Sequence, residues 1–163
     1  MDRLAWLVGA VLVAGLGVVA WQTVLSPSPS QQAGIPVTRV GGMMHPDLST
    51  LKGLPEGAPI VEVAVPDKLS SEARIGKRAF EAKCATCHGT NAAGQNGAAP
   101  PLIHPTYAPG HHPDEAFQRA AMNGVQSHHW PFGNMPPVKG LTRADVQYIV
   151  RYIRELQREN GIE

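Results

Sequence analysis

A chain of 163 residues holds one ordinary domain, at about 100 to 150 residues, plus an appendage. Its net charge of +1, with no basic run and no interleaving of basic and aromatic residues, lacks the footprint of a protein that neutralises phosphates, which argues against nucleic acid as a partner. Two cysteines, Cys84 and Cys87, exclude a disulfide framework and leave a metal site, a redox dithiol or an attachment point.

From Leu4 to Leu25 the sequence carries no charge. As a helix rising about 1.5 Å per residue, that run is long enough to cross the roughly 30 Å of hydrocarbon in a bilayer. Trp6 and Trp21 stand near its ends as interfacial aromatics do, and Arg3 keeps the short leading tail cytoplasmic by the positive-inside rule. A cleaved export signal is the competing reading, since Val18-Val19-Ala20 offers small residues to a peptidase. The apolar run continues past that site and exceeds the usual apolar region of about 7 to 15 residues, which favours an uncut transmembrane anchor over residues 1–25. Both readings place the rest of the chain outside the cytoplasm, on the periplasmic side of a bacterial inner membrane.

Residues 26–69 open with SPSPSQQAGIP and keep returning to Pro and Gly, so they read as an extended linker or strap. Within it Pro59 to Val65 alternates well enough for a short strand or an ordered strap. As a free coil of about 40 residues the linker spans near 35 Å, enough slack for a small domain to reach neighbouring membrane complexes. Packed on the domain or on a partner subunit, it would allow no swing.

The domain spans residues 70–163. It opens at Ser70 with an acid-started helix that runs into Cys84-Ala85-Thr86-Cys87-His88. Covalent haem attachment needs two thiols about one helical turn apart to meet the two vinyl groups, with a histidine directly afterwards to ligate the iron. A zinc ribbon needs a second Cys/His pair at ligand spacing, a thioredoxin-like dithiol needs a βαβ setting, and a disulfide across so short a loop stabilises little. Haem is the reading that fits best. The sixth ligand is expected downstream at Met135, in Gly133-Asn134-Met135-Pro136-Pro137, where prolines stiffen the loop that carries the thioether. His128, His129, His104, His111 and His112 are the fallbacks, and Met122 on a middle helix reads as core filler.

Two further helices follow from caps and periodicity. Pro113-Asp114-Glu115 starts a middle helix that stops at Asn123-Gly124. Leu141 to Val146 combines an acidic variant of the capping box, Thr142 to Asp145, with a hydrophobic staple of Leu141 on Val146. Val146, Ile149, Val150, Ile153 and Leu156 then mark the apolar stripe of a last helix from about Arg143 to Glu159.

In this order the features resemble the class I cytochrome c family, small monohaem proteins with His and Met on the iron, over residues 70–163. Gly76 and Phe80 precede CATCH as a glycine and an aromatic do in the family's first helix, where they pack across the last one, which here contains Tyr152. Ala99-Pro100-Pro101-Leu102 is similar to the family's proline-leucine loop, in which the carbonyl of Pro100 would accept a hydrogen bond from the ring of His88. The resemblance implies an all-α fold, with helices wrapped around one covalent haem c, and a role as a one-electron carrier between membrane redox complexes, such as a quinol-oxidising complex and a terminal oxidase or similar acceptor.

Six of the seven histidines are not the proximal ligand. They read first as exposed loop residues or partners of haem propionates, a role Trp130 shares through its indole N–H. The sharper alternative is a second metal site or a pH-sensitive docking surface, to which Met43, Met44 and His45 would add copper-seeking ligands. Arg74, Lys77, Arg78, Lys83 and Lys139 form either a cationic ring that guides an acidic partner or a solvated face. With both axial positions filled there is no substrate site, so the expected function is electron transfer and not enzymatic turnover. A fixed haem subunit of a larger membrane oxidoreductase is the alternative, and a haem sensor or enzyme with a displaceable sixth ligand stands behind it.

Overall fold

The computed structural model describes residues 37–40 and 43–163. The proposed anchor, Leu4–Leu25, and the start of the linker lie outside the described residues. Among the described residues no helix is long and apolar enough to cross a membrane. In chain order the elements are strands β1 (Val37–Val40) and β2 (Met43–Pro46), a 3-10 turn at Leu48–Leu51, helix α1 (Ser71–Lys83), the one-turn helix α2 (Ala85–His88), 3-10 turns at Thr90–Ala92 and Pro105–Tyr107, and helices α3 (Asp114–Asn123) and α4 (Arg143–Glu159). The strands pair antiparallel as a small hairpin, Val37 opposite Pro46 and Val40 opposite Met43, so Met43, Met44 and His45 lie on β2.

Helix α1 begins where its sequence provides a cap. The Ser70 hydroxyl oxygen accepts from the Ala73 N–H at 3.1 Å and donates to the Glu155 carboxylate at 2.6 Å, so one side chain both starts α1 and ties it to α4. Helix α4 starts on the predicted capping box: the Thr142 N–H donates to the Asp145 carboxylate at 2.8 Å, and the Asp145 N–H donates to the Thr142 hydroxyl at 3.2 Å. Its apolar stripe is buried at every predicted position, Val146, Ile149, Val150, Ile153 and Leu156. Helix α3 runs from Asp114 to Asn123 and stops at Gly124, as read from the sequence.

Helices α1 and α4 cross where Gly76 meets the Tyr148 backbone. A Cβ at Gly76 would overlap the Tyr148 carbonyl oxygen, so the crossing distance is set by the missing side chain. One turn further along, Phe80 and Tyr152 pack with ring centroids 5.8 Å apart, both fully buried. They join Ala73, Ile103, Ile153 and Leu156 in the main core. Burying each large apolar side chain there stabilises the fold by about 1.5 to 3 kcal/mol.

Of the two readings of the linker or strap, free or packed on the domain, the residues around Ile60 and Val61 follow the packed one. Ile60 and Val61 are buried in a second cluster with Ala93 and Trp130, and both of their N–H groups donate to the one carbonyl of Ala93 at 3.1 Å. Upstream, Gly57 and Ala58 exchange backbone hydrogen bonds with Asn96. Pro59 to Val65 is therefore an ordered strap and not a strand, bent at Ile60 and Val61 where both N–H groups meet one carbonyl. Met122 is a correction: it is 62 % exposed, because the α3 face it occupies points away from the core.

Candidate haem attachment site

Cys84 ends α1, its N–H donating to the Phe80 carbonyl at 2.7 Å, and opens α2 by accepting the N–H of His88 at 2.9 Å. That single turn brings Cys84, Cys87 and His88 together. The loop that follows is folded back by two bonds, Gly94 N–H to the His88 carbonyl at 2.8 Å and Leu102 N–H to the Ala92 carbonyl at 2.9 Å. Asn91 and Ala92 adopt positive φ here, and the Asn91 side chain accepts the Tyr152 hydroxyl at 3.1 Å, which holds the strained turn against α4.

The fold-back delivers Pro100 to His88. The imidazole Nδ1 of His88 lies 2.9 Å from the Pro100 carbonyl oxygen. A carbonyl only accepts, so Nδ1 carries the proton and Nε2 presents its lone pair. Burial holds the His88 pKa below its ordinary value, opposed in part by the Pro100 hydrogen bond, and the ring is neutral as a metal ligand must be. The thiols differ. Cys84 is half-buried and its pKa is pushed up to about 11, by burial first and the neighbouring Cys87 second, whereas Cys87 is exposed. A redox dithiol needs an attacking thiol of depressed pKa, which Cys84 is not.

Phe80, Cys84, Cys87, His88, Trp130 and Met135 line one cavity of about 740 Å³, closed further by α3 and by Val146, Ile149 and Ile153 of α4. This is within the roughly 300 to 1,000 Å³ that cofactor sites occupy. Met135 is half-buried at the wall of this cavity, held by a two-way backbone bridge with Val125, N–H to carbonyl at 2.9 and 3.0 Å. The bridge passes directly over Gly124, whose φ is +76° and whose Cβ would lie 2.5 Å from the Met135 carbonyl oxygen. Only glycine ends α3 and admits the methionine loop at once.

Trp130 is buried, stacked on Phe132 at 6.0 Å, and its indole Nε1 has no well-formed hydrogen bond. It sits close enough to the Tyr107 hydroxyl to act on its acidity, but burial dominates there and raises the Tyr107 pKa. The predicted fallback ligands separate. His104 is fully buried and its Nδ1 accepts the Thr106 N–H at 3.2 Å, a structural cap on the turn at Pro105–Tyr107. His111, His112 and His129 are half-buried and clustered, so among the histidines whose burial is described the expectation of exposed loop residues holds for His128.

The sequence reading missed Arg154. Its guanidinium is buried and donates to the Asp114 carboxylate at 2.8 Å, the Tyr107 carbonyl at 2.8 Å, the Gln157 side chain at 2.6 Å and the His112 carbonyl at 2.5 Å. It also lies over the Phe117 ring, 5.0 Å from its centroid. The available signal was a charge one turn beyond Val150 on the buried side of α4. This one residue fixes the loop from Tyr107 to His112 and the start of α3, and through them part of the cavity wall.

These residues fit a covalently attached haem: two thiols on one turn, a neutral oriented imidazole, an apolar cavity and a buried indole N–H without a well-formed acceptor. A sequence model of the family described as cytochrome c matches residues 73–157, more than half of the chain. Comparison with curated proteins and with solved structures gives no significant match. The chain therefore belongs to the cytochrome c family of haem-based electron carriers, with covalently bound haem c as its cofactor and Cys84 and Cys87 consistent with its attachment.

Proposed function

We propose that the protein is a membrane-tethered monohaem electron carrier in which Cys84 and Cys87 form the thioethers and His88 and Met135 are the axial ligands. The observation that carries this reading is the hydrogen bond between His88 Nδ1 and the Pro100 carbonyl, which fixes the ring and leaves Nε2 facing the cavity that Met135 also lines. The haem, when bound, supplies one reversible iron-centred electron. The chain does the rest. His88 is held neutral and oriented, and its basicity is raised by the carbonyl behind it. The Val125 bridge and Pro136-Pro137 keep the Met135 thioether from drifting, and a soft sulfur favours the ferrous state. The apolar wall excludes water, and Trp130 offers its N–H to a propionate.

Arg78, Lys83 and Lys139 are exposed, while Lys77 is paired with Glu81 and Arg74 donates to the Leu69 carbonyl. The three unpaired cations suit brief docking on an acidic face of membrane redox complexes, such as a quinol-oxidising complex and a terminal oxidase. The apolar run Leu4–Leu25 supplies the tether, and since strand β2 already lies against the turn at Pro105–Tyr107 and Leu51 packs on the second cluster, any reach comes from residues before Met43. Carbon monoxide tests the closed coordination: the reduced protein at neutral pH is expected to show no spectral change. Rapid carbon monoxide binding would instead support a sensor or enzyme with a displaceable sixth ligand.

A further inference from the structure

We propose that His111, His112 and His129 form a second metal site, at the rim of the haem cavity, that takes a single copper or zinc ion. One ring nitrogen from each of the three lies within 4.8 Å of the other two. Their ring centroids are 4.8 Å (His111 to His112), 5.3 Å (His111 to His129) and 5.4 Å (His112 to His129) apart. A tetrahedral ion with bonds of about 2.0 to 2.1 Å sets its ligand atoms about 3.4 Å apart, a closure that side-chain rotation provides. The donor set is all imidazole, which selects copper or zinc over magnesium or calcium.

The site is built and supported. His112 Nδ1 lies 2.6 Å from the Thr106 carbonyl, so it carries the proton and Nε2 is left as the donor. Thr106 is itself held by the buried His104, its N–H at 3.2 Å and its hydroxyl at 3.0 Å from His104 Nδ1, and the His112 carbonyl is pinned by Arg154. This is the outer-shell arrangement that orients a ligating histidine. His111 adds a direct pointer: its Nε2 is buried and has no hydrogen-bond partner. The fourth position is left to water or to His128, whose ring centroid lies 4.2 Å from that of His129. His112 and His129 line the haem cavity and His111 does not, so the site straddles the edge of that cavity.

The inference does not depend on the electron-carrier reading, and its test is separate from haem chemistry. Zn2+ titrated calorimetrically into the haem-loaded full chain is expected to bind with one ion per chain and to be removed by a chelator. His111→Ala, at a residue that does not line the haem cavity, should weaken that binding by about tenfold or more with the haem spectrum unchanged, and His129→Ala should weaken it by a similar factor. Pulsed paramagnetic resonance of the Cu2+-loaded parent, which needs no variant, should show couplings from more than one imidazole. Binding that is absent or non-saturable, that survives both substitutions, or that shows no imidazole coupling would overturn the site.

Discussion

The side-chain amide of Asn160 pairs with both backbone groups of Ala64, accepting its N–H at 2.9 Å and donating to its carbonyl at 2.8 Å. Residues 96 positions apart are thereby joined, and the strap is pinned where α4 ends. Asn160→Ala removes the pairing and leaves the half-buried amide of Ala64 without its partner, a loss of about 2 kcal/mol. Amide exchange at Ile60 and Val61 should quicken in that variant, while exchange in α1 follows only the global change in stability.

Gly76 has no substitute at the helix crossing. Gly76→Ala forces Cβ into the Tyr148 backbone, where no flexible side chain can give way. Separation of α1 from α4 should cost about 3 kcal/mol or more, at the upper end of overpacking effects. Chemical denaturation of the haem-loaded protein measures it, and the yield of matured protein should fall with the midpoint.

Arg154→Met keeps the aliphatic bulk and removes the buried guanidinium with its four acceptors. Two of those acceptors are backbone carbonyls under the α3 start, so the loss should be about 3 kcal/mol, with Asp114, which is exposed, contributing little of it. Fluorescence of the haem-free chain should show loosening near Trp130, because the Tyr107 to His112 loop loses its clamp.

Acid should weaken the fold through His112. Its folded pKa is held below the ordinary 6.5, by burial first, so the unfolded chain takes up the proton more readily. The stability this contributes is fully present above 6.5 and is lost as pH falls from there through the folded value. Urea midpoints of the metal-free, haem-loaded protein should drop between about pH 7 and about pH 5, and His112→Gln should flatten that slope.

Much of the domain was legible in the chain because its signals are local. CATCH lies within one turn, the Thr142 to Asp145 box spans four residues, and the stripe from Val146 to Leu156 repeats at the helical period, so the structure reproduces α3 and α4 at their predicted ends. Pro100 was legible only through the family resemblance, since nothing local says that a carbonyl twelve residues on reaches His88. What escaped was set by contacts distant in sequence. Arg154 was not singled out because Tyr107, His112 and Asp114, which fold around it, lie forty or more residues away, and whether the strap is free or packed depends on Ala93 and Asn160, which satisfy its backbone. Met122 misled for the opposite reason: an apolar residue on an amphipathic helix suggests burial, but it occupies the outer face of α3.

Whether His88 and Met135 close the coordination of one covalent haem is decided by redox potentiometry of the haem-loaded parent beside Met135→Ala. The variant is expected to keep its haem through denaturation, on Cys84 and Cys87, while its potential falls and its reduced form gains carbon monoxide binding. An unchanged spectrum and potential in the variant would contradict it.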